Sequence, residues 1–304
     1  MNNFESLIGK TGFEKFGLTW HLIFRNPSQN EQIEISYPLT IEFNIDRAIS
    51  NSTNTASIRI KNLEEKTRDK FQFDHYRLVD FDKTLKNYKQ VILQAGYNGN
   101  LTTIFAGNLL QGYSYREGAD IITFMNCGDG AYAVANSYSN FTINRGQSNQ
   151  DLIKNLINDL TGTGTLNVGA ISNVDGNIQK AQTVSSYTSD AINMIKDVKL
   201  TIDLERVNLL KTYDVIDEVT LIDSDTGLLT TPIRENSYIS FDMLFEPKIK
   251  LGQLAEINSI INPIYNGQYK VYGIRHTGII SQSVASSVKT SLQGFIGTTG
   301  FNAI

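Results

Sequence analysis

The chain has 304 residues, a formal net charge of −4, 40% hydrophobic and 19% charged residues, and a single cysteine, Cys127. This is the mix of a folded chain, long enough for a large core and about two domains without metals or disulfides. One cysteine excludes an intrachain disulfide and fits assembly in a reducing compartment, no Lys/Arg run reads as a nucleic-acid stripe, and no apolar run approaches the roughly 20 residues of a membrane-spanning helix. The first residues, MNNFESLIGK, lack a basic segment followed by an apolar one, so no secretory signal is expected.

The first clear pattern is EISYPLTIEFNID. Ile33, Ile35, Tyr37, Leu39, Ile41, Phe43 and Ile45 alternate with Glu34, Ser36, Thr40, Glu42, Asn44 and Asp46. Period-two alternation predicts a strand with one buried face, or two strands bent at Pro38, which cannot donate to a ladder. Ala56, Ile58 and Ile60 predict the next strand. Asn62, with Glu65 three residues on, then reads as a capping box opening a short helix that turns Leu63, Thr67 and Phe71 to the sheet. Val91, Leu93, Ala95 and Tyr97 alternate and run into Asn98-Gly99, a pair that favours a tight hairpin turn. A further hairpin is expected over Tyr113–Cys127, turning at Glu117-Gly118-Ala119-Asp120.

The texture changes after residue 140. Ser148, with Asp151 behind it, caps a helix whose stripe is Leu152, Ile153, Leu156, Ile157 and Leu160, stopped by Thr161–Gly164. GAISNVDGNIQ reads as a loop. Tyr187, Ala191, Met194, Ile195 and Val198 predict a second helix capped near Thr188, followed by strands at Leu200–Leu204 and Val207–Leu210. From Asp217 the β texture returns in DEVTLI, SYISFDMLF, QLAEINSI, GQYKVYGIRHTG and SSVKTSLQGF, with a loose tail after Gly297. The expected fold is mainly β: two β-barrel domains, 1–139 and 213–304, the second ending in the flexible tail, around an α+β insert, 140–212.

A repeat supports that layout. YNG occurs at Tyr97–Gly99 and Tyr265–Gly267, and Gly107, Gly112 and Gly128 share their spacing with Gly273, Gly278 and Gly294. The alternative is two unrelated hairpin pairs, each needing glycine at its bends.

Catalytic and metal signatures are weak. His21, His75 and His276 lie outside metal-ligand spacing of one another and of Cys127, so no metal or cofactor is expected. His276 reads as a packed, hydrogen-bonded strand residue. Asp223-Ser-Asp225-Thr-Gly227 opens like a calcium loop, but Arg234 stands where an EF-hand needs glutamate, so a turn is expected. Ser286-x-x-Lys289 lies in a strand without the companion motifs of penicillin-binding enzymes, and GTGTLN lacks the third glycine of a dinucleotide loop.

The C-terminal motifs carry a resemblance. Gly227, Leu228, Leu229 and Pro232; then Pro247, Ile249 and Gly252; then Gly267, Tyr269, Val271, Ile274, His276 and Gly278 follow the turn-and-strand pattern of the baseplate hub proteins of contractile phage tails. IEFNIDRAISNSTNTASIRIKNLEEKTRDKF is similar to the same family's opening strand–strand–helix. The last strand, SSVKTSLQG, departs from the family in lacking a tryptophan.

This resemblance implies a structural protein rather than an enzyme, with tube-like barrels. It implies a homotrimer between the sixfold tail tube and the threefold central spike. Its partners would be the spike, the tube or tube initiator, and the baseplate wedge proteins, with viral DNA only as passing cargo and no membrane insertion. It would reside in the virion after assembly in the host cytoplasm. Within that frame Glu34, Glu42 and Asp46, on one strand face, are candidates for a negatively charged channel wall; an ordinary solvated face is the alternative. Rival functions are a tail-tube or distal-tail ring protein and a β-rich polysaccharide-degrading enzyme.

Overall fold

The computed structural model describes residues 15–49, 53–74, 88–297 and 300–303. Most strands belong to one long sheet that passes through both ends of the sequence. The N-terminal part contributes β1 (Leu18–Asn26), β2 (Glu31–Ser36), β3 (Ile41–Ala48), β4 (Thr55–Lys61), β5 (Phe73–Asp74), β6 (Gln90–Tyr97), β7 (Asn100–Glu117) and β8 (Asp120–Gly128). Their inward faces follow the period-two rule: Leu22 and Phe24, Ile41, Phe43 and Ile45, Ile58 and Ile60, Val91 and Leu93 pack with Trp20, Phe71 and Phe105 in one core. The Asn98-Gly99 turn forms as expected, with φ of 51° and 78°, which is the left-handed pair a tight hairpin requires. Gly112 is fixed by space: a Cβ there would sit 2.0 Å from the Phe71 carbonyl oxygen.

Two local expectations resolve or change here. The alternating run around Pro38 is two strands, and they are far apart in the sheet: β2 pairs only with β1, while β3 pairs with β4. Asn62 does not cap the helix Glu65–Lys70. It takes a left-handed φ of 57°, accepts from the Ile121 N–H and donates to Asp120, so it bolts the strand end to the β7–β8 hairpin instead. Leu63 and Phe71 do turn inward.

The middle segment holds its own core, built from Ile143, Ile153, Leu156, Leu160, Ile192, Val207 and Leu209 among others. The helix Asn149–Thr161 forms with Ser148 accepting from the Asp151 N–H, and its stripe is buried. The second helix is shorter than its sequence pattern suggested. It spans Thr188–Asn193, with Met194 79% exposed and Val198 already in a strand. GAISNVDGNIQ is only partly loop, since β10 (Asn167–Ile171) pairs in parallel with β13 (Arg206–Lys211), which pairs with β12 (Val198–Asp203). β9 (Tyr138–Ile143) and β11 (Gln182–Tyr187) form a separate polar ribbon.

The C-terminal part contributes β14 (Asp214–Ile222), β15 (Ile233–Glu235), β16 (Tyr238–Leu244), β17 (Gln253–Ile257), β18 (Gly267–Ile280) and β19 (Ser287–Phe295). Its core holds Ile222, Ile239, Phe241, Met243, Ile257, Val271 and Ile274. The tail is not loose throughout, because β20 (Asn302–Ala303) pairs in parallel with Asp214–Val215. Among the described residues no helix is long and apolar enough to cross a bilayer.

The two ends share one strand order. β3-β4-β8-β7-β6 and β15-β16-β19-β18-β17 are hydrogen-bonded in the same sequence, every neighbour antiparallel. The long strand of each unit carries a bulge, at Leu110 in β7 and Tyr272 in β18. Counted from these bulges the glycine sets are out of register: Gly107 precedes its bulge, whereas Gly273 follows it. The repeat is therefore one of strand order, not of glycine position.

Candidate functional site

The surface with functional character begins where the two units join. The later part of β18 adds to the free side of β3, from Gly273 opposite Ala48 to Ile280 opposite Ile41. Beyond its bulge β18 has left β17, so its edge is open to take another strand. Phe245 and Ile280 from the second unit are fully buried in the first unit's core. The Tyr97 hydroxyl donates to the Phe245 carbonyl at 3.0 Å, and Lys15 donates to the Thr226 carbonyl at 2.7 Å.

Beneath this seam lies a buried polar cluster. Arg47 donates from Nε and Nη2 to the two carboxylate oxygens of Asp203, both at 2.7 Å. Asn54 donates to the Ile202 carbonyl and to Asp203. Asp129 accepts from the Glu205 N–H at 3.0 Å in the β12–β13 turn, so the middle segment is tied to the first unit by charge as well as by packing. Burial opposes the Arg47 charge, but Asp203 outweighs it and the guanidinium pKa is raised. Asp129 moves the other way for a carboxylate: burial first, and then the Asp203 charge, push it well above the usual range. Lys270, also buried, clamps the carbonyls of Lys211 and Thr212, and burial lowers it to about 8.

His276 lies in the seam. It is fully buried, its Nδ1 is 3.0 Å from the Thr290 hydroxyl, and its ring stands edge-on to Phe245. Its Nε2 has no hydrogen-bond partner among the described residues. Burial, and then the nearby Arg47 charge, lower its pKa to about 3, so it is neutral. The structure thus bears out the expectation of a packed strand histidine.

The outward face of the shared sheet is polar and charge-paired. Asp46 meets Arg275 at 2.6 Å across the seam, Glu42 meets Arg59 at 3.2 Å, and Asp242 meets Lys289 at 2.7 Å. Asn44, Ser57, Asn126 and Thr277 fill the same face by register. Of the three candidate channel carboxylates, Glu42 and Asp46 are brought together on β3. Glu34 is not: it lies on β2, beside His21 at 3.3 Å. Glu42, Asp46 and Asp242 each have a basic partner on a neighbouring strand, which offsets their charge.

Two edges next to this face are open among the described residues. Tyr113–Glu117 of β7 pair only with β8, and β15 pairs only with β16. Open edges of this kind are templates for another strand.

The remaining motif residues are structural. Gly227, with φ of 109°, closes the turn that Asp223 and Thr226 make through reciprocal hydrogen bonds; its N–H donates to the Asp223 carbonyl and its carbonyl accepts from the Leu244 N–H. Pro232 leads into β15, and Pro247 is buried after β16. Gly252 donates to Val271 and accepts from Ile216. Gly267 opens β18 after a loop, so the second YNG is not a hairpin turn. Tyr269 donates to the Tyr265 carbonyl at 2.7 Å. A Cβ on Gly278 would meet the Ser287 carbonyl oxygen at 2.1 Å. His75 lies outside the described residues, and among the described ones no cluster of three or more His, Cys, Asp or Glu side chains is placed to hold a metal.

Known structures share this architecture. The chain matches the 43 kDa tail protein of prophage MuSo2 from Shewanella oneidensis with a TM-score of 0.57 at 6% identity, over 90% of this chain and 96% of that one. It matches the E. coli c3393 protein, described as a type VI secretion component structurally similar to T4 bacteriophage tail proteins gp27 and gp5, with a TM-score of 0.59 at 6% identity, over 87% and 76%. The tail protein from Neisseria meningitidis MC58 gives 0.53 at 9% identity, over 92% and 96%. At these identities the likeness is one of fold. No curated protein matches significantly in sequence. The family model for Baseplate hub gp41, in contrast, matches residues 23–283, nearly the whole described chain. With the repeated sheet and its polar face, that match makes this chain a member of the baseplate hub gp41 family.

Proposed function

We propose that three copies of this chain close into a ring that adapts a sixfold tail tube to a threefold spike in the baseplate of a contractile phage tail. Each copy supplies two barrel-like units, 1–139 and 213–304, carried with the insert 140–212. The single observation that supports this reading is the β18–β3 seam together with the shared strand order. Inside the chain, the bent strand β18 of the second unit pairs with β3 of the first. Repeating that step between copies brings the open stretch of β7 onto β15 of the next chain. Three repetitions give six alternating units, and a head-to-tail contact of this kind closes only if its rotation fits.

In such a ring the polar, charge-paired face lines the central channel. DNA passing through it meets no basic stripe to hold its phosphates. The two kinds of unit present six similar faces to a tube or tube initiator, while their differences leave threefold positions for the spike and for wedge proteins. The role is structural and virion-borne, with assembly in the host cytoplasm and no catalytic step.

Native mass spectrometry of the purified chain, alone and with its spike partner, tests this reading. The expected particle contains three copies of the 33.9 kDa chain. Six copies would favour a tail-tube or distal-tail ring. A chain that stays monomeric in both conditions and hydrolyses cell-wall polysaccharide would overturn the proposal.

A further inference from the structure

The two units differ at a corner that their shared strand order makes equivalent. In the first, β6 and β7 are joined by the two-residue turn at Asn98-Gly99. In the second, β17 and β18 are joined by residues 258–266, which carry Ile260, Ile261 and Ile264 at 79%, 81% and 81% exposure. This loop is braced. Asn266 accepts from the Ser259 N–H at 2.7 Å and donates to Asn258, Ser259 accepts from the Asn262 N–H, and Tyr269 holds the Tyr265 carbonyl. Three isoleucines displayed on a fixed frame are an apolar contact without an occupant among the described residues.

The internal seam indicates the occupant. There two segments of the second unit receive the first: Tyr97 at the β6–β7 corner donates to the Phe245 carbonyl after β16, and Lys15, on the segment that Gly17 ties to Asn98 of that corner, reaches Thr226 ahead of β15 and Glu246 after β16. Under the strand correspondence, β3 and β4 stand for β15 and β16. The next junction of the ring therefore brings the β17–β18 loop of one copy onto the segments ahead of β3 and after β4 of its neighbour. Those two segments line a cleft of about 290 Å³, with Pro38 and Leu39 on one side, Lys61 and Asn62 on the other, and half-exposed Val284 across it.

Resting on the ring proposed above, we infer that the β17–β18 loop is a docking finger that seats its isoleucines in the Pro38–Leu39–Val284 cleft of a second copy of this chain. The finger makes the junction between copies unlike the seam within one, which fixes the order of units around the ring.

The test uses the full chain with Ile261→Cys and Val284→Cys together, treated with a short flexible bismaleimide. The native Cys127 is fully buried, so background reaction is expected to be low. Covalent dimers and trimers on a denaturing gel, absent from either single variant, are the expected result. A particle of three copies that yields no cross-linked species would overturn the finger and leave the ring reading standing, whereas the absence of any trimer would overturn both. The companion variant Ile261→Asp/Ile264→Asp is expected to keep its far-ultraviolet spectrum and melting behaviour while associating about tenfold more weakly or worse. Unchanged association would also overturn the finger.

Discussion

Replacing Arg47 with methionine is expected to lower the unfolding free energy by about 3–5 kcal/mol. The two 2.7 Å hydrogen bonds to Asp203 are lost, but the larger cost is what remains. Asp203 and Asp129 would then share a buried pocket with no cation, each raising the energy of the other's charge. The variant should therefore be less stable than wild type by a larger margin at alkaline pH, where Asp129 is forced to ionise beside Asp203, than at mildly acidic pH, where its raised pKa lets it hold a proton. Replacing the pair together, Arg47→Met with Asp203→Leu, is expected to recover most of the loss, because the buried charge is removed with its partner. Urea midpoints of the two variants check this. A single variant within about 0.5 kcal/mol of wild type would mean that the cluster is not a tie between the middle segment and the first unit.

The second large effect is on pH dependence and belongs to His276. Its pKa is about 3 in the folded chain against 6.5 in an exposed one. The folded state thus binds its proton less readily than the unfolded state. The stability contributed by the neutral ring is complete above about pH 6.5 and is lost progressively as pH falls toward 3. Between pH 7 and pH 4 the loss is on the order of 3 kcal/mol for this group alone. The ring faces Arg47, Phe245 and Thr290, and none of these can accept the added proton's charge. Asp129 acts in the opposite sense, since its raised pKa favours folding as pH falls. A comparison with His276→Gln removes that contribution, because Asp129 is common to both proteins. Denaturation of the two at a series of pH values should show wild type losing ground to the variant below pH 6.5. Parallel profiles would contradict the assignment.

Much of the fold was legible in the sequence because alternation is a local signal. Ile41, Phe43 and Ile45 announced β3, Asn98-Gly99 announced its turn, and Ser148 with the Leu152–Leu160 stripe announced the long helix. The failures have physical causes. β9 and β11 are written largely in Ser, Thr, Asn and Gln, so no apolar rhythm separates them from loop. Tyr187 through Val198 has helical spacing, but the helix ends at Asn193 and leaves Met194 in solvent. Asn62 has the composition of a cap, yet its left-handed backbone serves a hairpin far along the chain.

The candidate surface was harder to read. Glu34, Glu42 and Asp46 share a parity, but the chain turns at Pro38 and puts Glu34 on β2, at the end of the strand order and five strands away from β4. Their partners Arg59 and Arg275 are set by cross-strand register, which a single sequence does not display. One signal was available and easily passed over: Arg47 continues the buried series of Ile41, Phe43 and Ile45, and an arginine in that register requires a buried acid. The family resemblance carried by Gly227 through Gly278 was sound, and those residues shape turns and strand crossings. The glycine spacing points to a repeat, but the correspondence seen between the two ends lies in strand order and not in the glycines.

Averaged end-on electron micrographs of the purified assembly put the central idea to the most direct trial. Two alternating kinds of lobe, six in all, around an open centre with threefold symmetry are the expected image. Six identical lobes from six chains, or a twofold particle without a channel, would contradict it.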